Sequence, residues 1–234
     1  MKSKKAPDVH HNIIPPSADT SIIEFYKGYF DCVFIILHPF MKCHDLEKFM
    51  SKKERHTKDE LTHLADSVSW NEITSLCGFS DIKQIDIALR NMIGGLNKIH
   101  HNDKEQTKLD HVCELNNFII PPEGNFSELL VDSMLHALTD LGHEWVYIGD
   151  EFGWERKLEY IQDIIDNKVQ ANFHHESWYT VKNEILYTTH WDSHFTFLCS
   201  DKETIEKILS QHPFEGFYCN EETEVYWSLR DNTI

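Results

Sequence analysis

Three side chains able to bind a metal ion lie two residues apart in the stretch of sequence that most favours strands. His190, Asp192 and His194 fall within residues 185–200, where β-branched and aromatic residues dominate, as they do in strands. In one long strand the three side chains would share a face. Two imidazoles and a carboxylate can bind a divalent metal ion, which activates water. This spacing predicts one function, a metal-assisted hydrolase that uses Asp192 and His194.

A hairpin is the alternative interpretation of the same stretch, with Asp192 and Ser193 as its turn. The cross-strand pairs would then be Trp191 with His194 and Thr189 with Thr196. The opposite, apolar face would carry Leu186, Phe195, Phe197 and Cys199. A hydrogen bond between Asp and His at the strand end would then explain the polar residues without a metal ion, since the chain contains 16 histidines.

Aromatic residues near the end of the chain predict a binding surface. Six of them, if they share one open face of a sheet, would form a protein-binding patch, and otherwise they belong to the core. They are Trp178, Tyr179, Trp191, Tyr218, Tyr226 and Trp227. The residues predicted to line a binding site are Trp191, Asp192, His194, Tyr218, Cys219 and Trp227.

The sequence contains no common catalytic motif that would identify a reaction. The sequence has no P-loop and no GxGxxG, GxSxG or HExxH pattern, so no catalytic residue is assigned. Asp150 and Glu151 follow a predicted strand and fit either an acid–base pair or a solvated turn between Gly149 and Gly153. No cofactor is expected, apart from the divalent metal ion of the hydrolase alternative.

The charge balance limits the classes of partner that the chain is expected to bind. The chain carries 39 Asp and Glu against 22 Lys and Arg, a net charge of −17, so direct nucleic-acid binding is not expected and a basic protein is the partner class that fits. Two predicted helices joined at Gly78 could form a helix-turn-helix, but the second helix has only Lys83 and Arg90 to contact a phosphate backbone.

No apolar run is long enough to span a membrane. Six cysteines without a CxxC pair, and no secretory signal, predict free thiols in the cytoplasm. The sequence leaves the oligomeric state open.

The elements predict an α+β fold, a largely antiparallel sheet covered by helices, with a helical block in the first half. Residues 1–20 are predicted to form a flexible N-terminal tail, and residues 21–234 a single domain in which the helical block, 57–116, is inserted or packed on the sheet. The predicted strands are 29–37, 145–148, 217–219 and 225–228, beside the central stretch. The predicted helices include 70–77, 81–93, 103–116, 126–141, 156–167 and one after Ser200 that runs through Leu209.

Several dispersed motifs carry a resemblance to a known family. Residues 85–95 (IDIALRNMIGG), 191–200 (WDSHFTFLCS) and 214–229 (FEGFYCNEETEVYWSL), with FIILHPF earlier, resemble an uncharacterised bacterial family, domain of unknown function 2711. The resemblance covers the chain from about the first strand onward and implies no activity. Its pattern includes Trp191, Asp192, His194, Cys219 and Trp227, but not His190.

Composition and general layout also resemble the immunity proteins of bacterial toxin systems, which block a toxin by surface complementarity. The sequence therefore predicts a cytoplasmic, non-enzymatic protein-binding module with an acidic surface, of immunity type in one version. The metal-assisted hydrolase is its alternative.

Overall fold

The computed structural model of the chain describes residues 12–18, 20–52, 56–96, 98–100, 102–169 and 176–229. Its helices are α1 (Ile22–Tyr26), α2 (Leu46–Ser51), α3 (Lys58–Leu64), α4 (Trp70–Cys77), α5 (Lys83–Met92), α6 (Asp103–Asn116), α7 (Glu128–Asp140), α8 (Ile161–Ile165) and α9 (Lys202–Gln211). Its strands are β1 (Cys32–Leu37), β2 (Phe40–Cys43), β3 (Ala65–Val68), β4 (Phe118–Ile119), β5 (Trp145–Gly149), β6 (Arg156–Tyr160), β7 (Ser177–Thr180), β8 (Leu186–Thr188), β9 (Phe195–Ser200) and β10 (Gly216–Tyr218). Within these ranges no helix combines the length and the apolar character needed to cross a membrane.

Seven strands form the main sheet, in the order β10-β1-β9-β8-β7-β5-β6, and each neighbouring pair is antiparallel. A smaller sheet has the order β3-β2-β4. The predicted α+β class with a largely antiparallel sheet is confirmed.

Strand β1 explains why helices cover both faces of the main sheet. Its side chains alternate, so that Val33, Ile35 and Leu37 enter one core and Phe34 and Ile36 enter another. Because both faces are apolar, both must be covered. Helices α1, α4, α5 and α6 pack on the Val33 side, and α7, α8 and α9 pack on the Phe34 side.

Capping interactions close to each other in sequence set the ends of helices in the helical block. The Ser69 side chain accepts the N–H of Glu72 at the start of α4, and Gly78 ends this helix in the left-handed conformation, at φ +62°. Helix α3 begins with a complete capping box between Thr57 and Glu60. The predicted bounds 70–77 and 103–116 are those of α4 and α6.

Part of the predicted N-terminal tail packs on the domain. Ile13 is buried in the same core cluster as Tyr26, and the Tyr26 hydroxyl donates to the carbonyl of Ile14 over 2.9 Å. The rest of the predicted tail, residues 1–11 and 19, lies outside the described residues.

Two predicted elements are wrong. Residues 156–160 form strand β6, not the first half of a helix, because they pair with β5 from Trp145↔Tyr160 to Gly149↔Arg156. Only Ile161–Ile165 is helical. Residues 225–228 form a turn that leads into a 3-10 helix, Trp227–Leu229, instead of a strand. Strand pairing overrides the helical pattern at residues 156–160. At residues 225–228 the Val225 carbonyl accepts from Arg90 instead of from a neighbouring strand.

Candidate functional site

The central stretch folds as a hairpin, and the alternative of one long strand is wrong. Leu186 lies opposite Cys199 and Thr188 opposite Phe197, which is the register that a turn at Asp192 and Ser193 predicts. The Thr189 and Thr196 hydroxyls, opposite each other in this register, are 3.2 Å apart. The predicted apolar face, Leu186, Phe195, Phe197 and Cys199, lies in one core cluster. Regular pairing stops after Thr188, and residues 189–194 form a loop.

A buried polar row lies where β1 and β9 end. The His38 N–H donates to the carbonyl of His194 over 3.0 Å, which extends the β1–β9 register beyond Leu37↔Phe195. His38 and His194 therefore project from the same face as Thr196. His38 Nε2 is 2.8 Å from Thr196 Oγ1, and His38 Nδ1 is 3.4 Å from the carbonyl of Pro122. Since a carbonyl only accepts, this network assigns the ring proton to Nδ1.

His194 is held in its neutral form. Its side chain is fully buried, and neither ring nitrogen has a hydrogen-bond partner among the described residues. Burial, together with the nearby Arg90 and His38, lowers the pKa of His194 to about 3. A neutral imidazole at physiological pH adds no charge to the core.

The predicted metal ligands have other roles. The Asp192 carboxylate accepts from the Tyr226 hydroxyl over 3.2 Å, and the Asp192 N–H donates to His190 Nδ1 over 3.2 Å. In the described part of the chain, no group of three or more His, Cys, Asp or Glu side chains is arranged to hold a metal ion. The loop thus separates residues that a single strand would have placed on one face.

A fully buried ion pair organises this end of the domain. Arg90 donates through Nε to Asp86 over 2.7 Å, and neither side chain is exposed. Its other nitrogens donate to the carbonyls of Asp192 and Val225, each over 2.8 Å. The Ser228 hydroxyl donates to the same Asp86 carboxylate over 2.6 Å. Arg90 therefore ties α5 to the loop before β9 and to the last described segment, which is a structural task.

The predicted binding residues do not converge on one surface. His194 and Trp227 are buried, whereas Trp191 is 45% exposed and Tyr218 is 38% exposed. Tyr218 lies on β10 and Trp191 follows β8, and two strands separate β10 from β8 in the sheet. The Cys219 thiol is close to the core, and burial raises its pKa well above the usual value, so it is not a thiolate.

Exposed aromatic and apolar side chains also lie along the hairpin of β5 and β6, one aromatic pair at its open end and one in its turn. We call this set of residues the hairpin surface: Trp145, Phe152, Trp154, Leu158 and Tyr160. The rings of Trp145 and Tyr160 are 5.2 Å apart, and those of Phe152 and Trp154 are 5.1 Å apart. Trp154 is 83% exposed. Water beside such exposed aromatic rings loses orientational freedom, so covering the rings with a partner is favourable.

Asp150 orders the turn that carries Phe152 and Trp154. Its carboxylate accepts the N–H groups of Trp154 over 2.8 Å and of Glu155 over 3.3 Å. Gly153 adopts φ +70°, which suits a glycine, and its N–H donates to the Asp150 carbonyl over 3.1 Å. Asp150 and Glu151 had two interpretations, and these hydrogen bonds are those of a turn. They hold in place the main chain that carries both rings.

The sequence signal for this surface is present in residues 144–160, although part of this stretch also fits a helix. An acidic turn, residues 150–155, carries Phe152 and Trp154 between two runs with aromatic ends, a pattern typical of a hairpin. The helical spacing of Leu158, Ile161 and Ile164 concealed it.

Comparisons with known proteins place the chain among sequences of unknown function. A family model described as "Protein of unknown function (DUF2711)" matches residues 18–229. The uncharacterized protein YwbB of Bacillus subtilis (strain 168) is 20% identical over 173 residues, which cover 72% of this chain and 75% of that protein. No solved structure matches.

Proposed function

The chain belongs to the DUF2711 family, which is described as having no known function, and we propose that it is a protein-binding module for a partner with a basic surface. The observation that carries this proposal is the hairpin surface. Protein interfaces are enriched in Trp, Tyr and Phe, and a few such residues supply most of the binding free energy.

The order of the turn favours binding. Since Asp150 already holds the turn that carries Phe152 and Trp154, the main chain of the turn loses little conformational entropy when a partner covers it. Of the two aromatic pairs on the surface, this one is the better candidate for the centre of an interface, because Trp154 has the largest exposed fraction.

Charge selects the class of partner. Residues 144–166 contain seven acidic and two basic side chains, a net charge of −5, in a chain of net charge −17. Acidic side chains on this hairpin and on the segment that follows it attract a basic surface and accelerate its association. A basic toxin, neutralised as an immunity protein neutralises its target, is one partner of this class.

We also place the protein in the cytoplasm as part of this proposal. All six cysteines are free, as thiols are in a reducing compartment. An intracellular partner follows from that location.

The test is affinity capture with quantitative mass spectrometry. Three forms of the protein are immobilised: the wild type, a Phe152→Ala/Trp154→Ala double variant, and a Trp191→Ala/Tyr218→Ala control that removes two exposed aromatic residues elsewhere. We expect a basic protein to be retained by the wild type and the control, to be lost from the first double variant, and to be released as the salt concentration rises.

Two results would contradict the proposal. One is that no protein is retained above an empty matrix at low salt. The other is that a partner binds the Phe152→Ala/Trp154→Ala variant as well as it binds the wild type, while circular dichroism shows that all three forms are folded.

A further inference from the structure

Strand β6 forms one edge of the main sheet. Among the described residues it pairs with β5 and with no other strand. It has five residues, whereas β10 at the opposite edge has three. Leu158 in its middle is 43% exposed. An edge strand of this kind can accept another strand.

Two hydrogen bonds show which main-chain groups of β6 point outward. The Asp150 N–H donates to the Glu155 carbonyl over 3.1 Å, and the Ile161 N–H donates to the Glu144 carbonyl over 2.9 Å. In an antiparallel pair, every second residue bonds to the neighbouring strand. Residues 155, 157, 159 and 161 therefore bond toward β5, and the main-chain groups of Leu158 and Tyr160 point to the open edge.

This alternation restricts how a second copy of β6 could pair antiparallel with the first. Outward-pointing groups must meet outward-pointing groups, so even-numbered residues must face even-numbered residues. If Leu158 faces Leu158 of the second copy, Lys157 faces Glu159 on both sides of the two-fold axis. A shift by two residues would place Lys157 opposite Lys157, or Glu159 opposite Glu159, and like charges directly opposite are destabilising.

We propose that the protein forms a homodimer in which β6 pairs with β6 of a second copy, with the two-fold axis at Leu158, so that the sheet continues through both subunits. The interface is isologous, as in most homodimers. The strand itself carries Arg156, Lys157 and Glu159, so the contact is not acidic although the chain is. Within one strand Lys157 Nζ is 3.7 Å from Glu159 Oε1, so both side chains already lie on the same face. This inference does not depend on the proposed function.

Charge exchange tests the register. The oligomeric state is measured by sedimentation velocity over a range of concentrations near physiological salt. We expect the wild type to dimerise, and the single variants Lys157→Glu and Glu159→Lys to dimerise about tenfold more weakly, because each places like charges opposite each other. The Lys157→Glu/Glu159→Lys double variant should recover the wild-type dimer.

Cross-linking provides a second, independent test. Directly opposite residues in a hydrogen-bonded pair have Cα atoms about 5.5 Å apart, within the range for a disulfide. Leu158→Cys should therefore form a covalent dimer on mild oxidation. Lys157→Cys is the matched control, since the two copies of residue 157 would lie about 8 Å apart, and the wild type controls for the native cysteines.

The proposal is overturned by any of three results. The first is a wild-type protein that stays monomeric at all concentrations. The second is a dimer that neither single charge variant weakens. The third is equal cross-linking of the Leu158→Cys and Lys157→Cys variants, which would indicate another interface or an unrelated protein on this edge.

Discussion

Arg90 and Asp86 form an ion pair, 2.7 Å between Nε and Oδ2, with no exposure to solvent at either side chain. They lie one turn apart on α5. Burial of two charges costs free energy that the pair alone does not recover. The bonds from Arg90 to the carbonyls of Asp192 and Val225, and the bond from Ser228 to Asp86, provide the additional compensation.

Removal of Arg90 alone should therefore strongly destabilise the folded protein. In an Arg90→Met variant the Asp86 charge stays buried without its partner, and we expect the free energy of unfolding to fall by about 3–5 kcal/mol. Urea denaturation followed by tryptophan fluorescence measures this change.

Two further variants make this prediction specific. Lys202→Ala breaks a solvent-exposed pair with Glu206 and should cost less than about 1 kcal/mol. An Arg90→Met/Asp86→Leu variant should recover part of the loss, since no charge then remains buried. A loss below about 1 kcal/mol in Arg90→Met would show that the network does not stabilise the fold.

Local signals explain what the sequence predicts correctly. The Ser69 cap and Gly78 bound α4, and these are interactions within a few residues. The hairpin register follows from the two-residue period of Leu186, Phe195 and Phe197, because a slip by one residue would move these side chains from one core of the sheet to the other.

Non-local packing explains what the sequence does not predict. The spacing of Asp86 and Arg90 marks an i,i+4 ion pair, but a surface pair has the same spacing, so burial is not encoded locally. The exposure of Trp154 and the burial of Trp227 likewise depend on the packing of the whole chain. For the same reason, six aromatic residues near each other in the sequence lie in different environments.

Glu215 acts as a cap for a helix that is distant in the sequence. Its carboxylate accepts the N–H groups of Trp70 over 2.7 Å and Asn71 over 2.9 Å at the start of α4. A negative charge at a helix N-terminus also interacts favourably with the helix dipole. We expect Glu215→Ala to lower the free energy of unfolding by about 1–2 kcal/mol. Thermal unfolding measures the change, and Glu222→Ala, an exposed residue, is the control. Equal melting temperatures for the two variants would contradict the prediction.

His194 should make stability depend on pH. In the folded protein its pKa is about 3, whereas an imidazole in the unfolded chain has a pKa of about 6.5. As the pH falls below 6.5, the unfolded chain takes up the proton first. The stability from this group is therefore complete above pH 6.5 and is lost progressively toward pH 3.

The measurement compares the wild type with His194→Leu. Between pH 7.5 and 5.5 the wild type should lose about 1.4 kcal/mol more of its free energy of unfolding than the variant. Leucine also removes the ring nitrogens that have no hydrogen-bond partner among the described residues, so the variant should not be strongly destabilised at pH 7.5. His136→Leu controls for the loss of a surface histidine. Equal pH dependence in the wild type and His194→Leu would show that His194 takes up a proton in the folded protein as readily as in the unfolded chain.

Asp150 should control the order of the turn that presents Phe152 and Trp154. Because its carboxylate accepts the N–H groups of Trp154 and Glu155, an Asp150→Ala variant leaves both amides to water. We expect their hydrogen exchange to accelerate at least about tenfold, the equivalent of about 1.4 kcal/mol of local opening free energy, while amides of β9 exchange as in the wild type. The exchange rates in Asp150→Asn, which keeps one acceptor oxygen, should lie between those of the wild type and those of Asp150→Ala. Unchanged exchange at Trp154 in Asp150→Ala would mean that the turn is held by other contacts. The main-chain order that favours partner binding would then have to come from another contact of the turn, such as its approach to Ile14, which a Cβ atom added at Gly153 would meet at 3.4 Å.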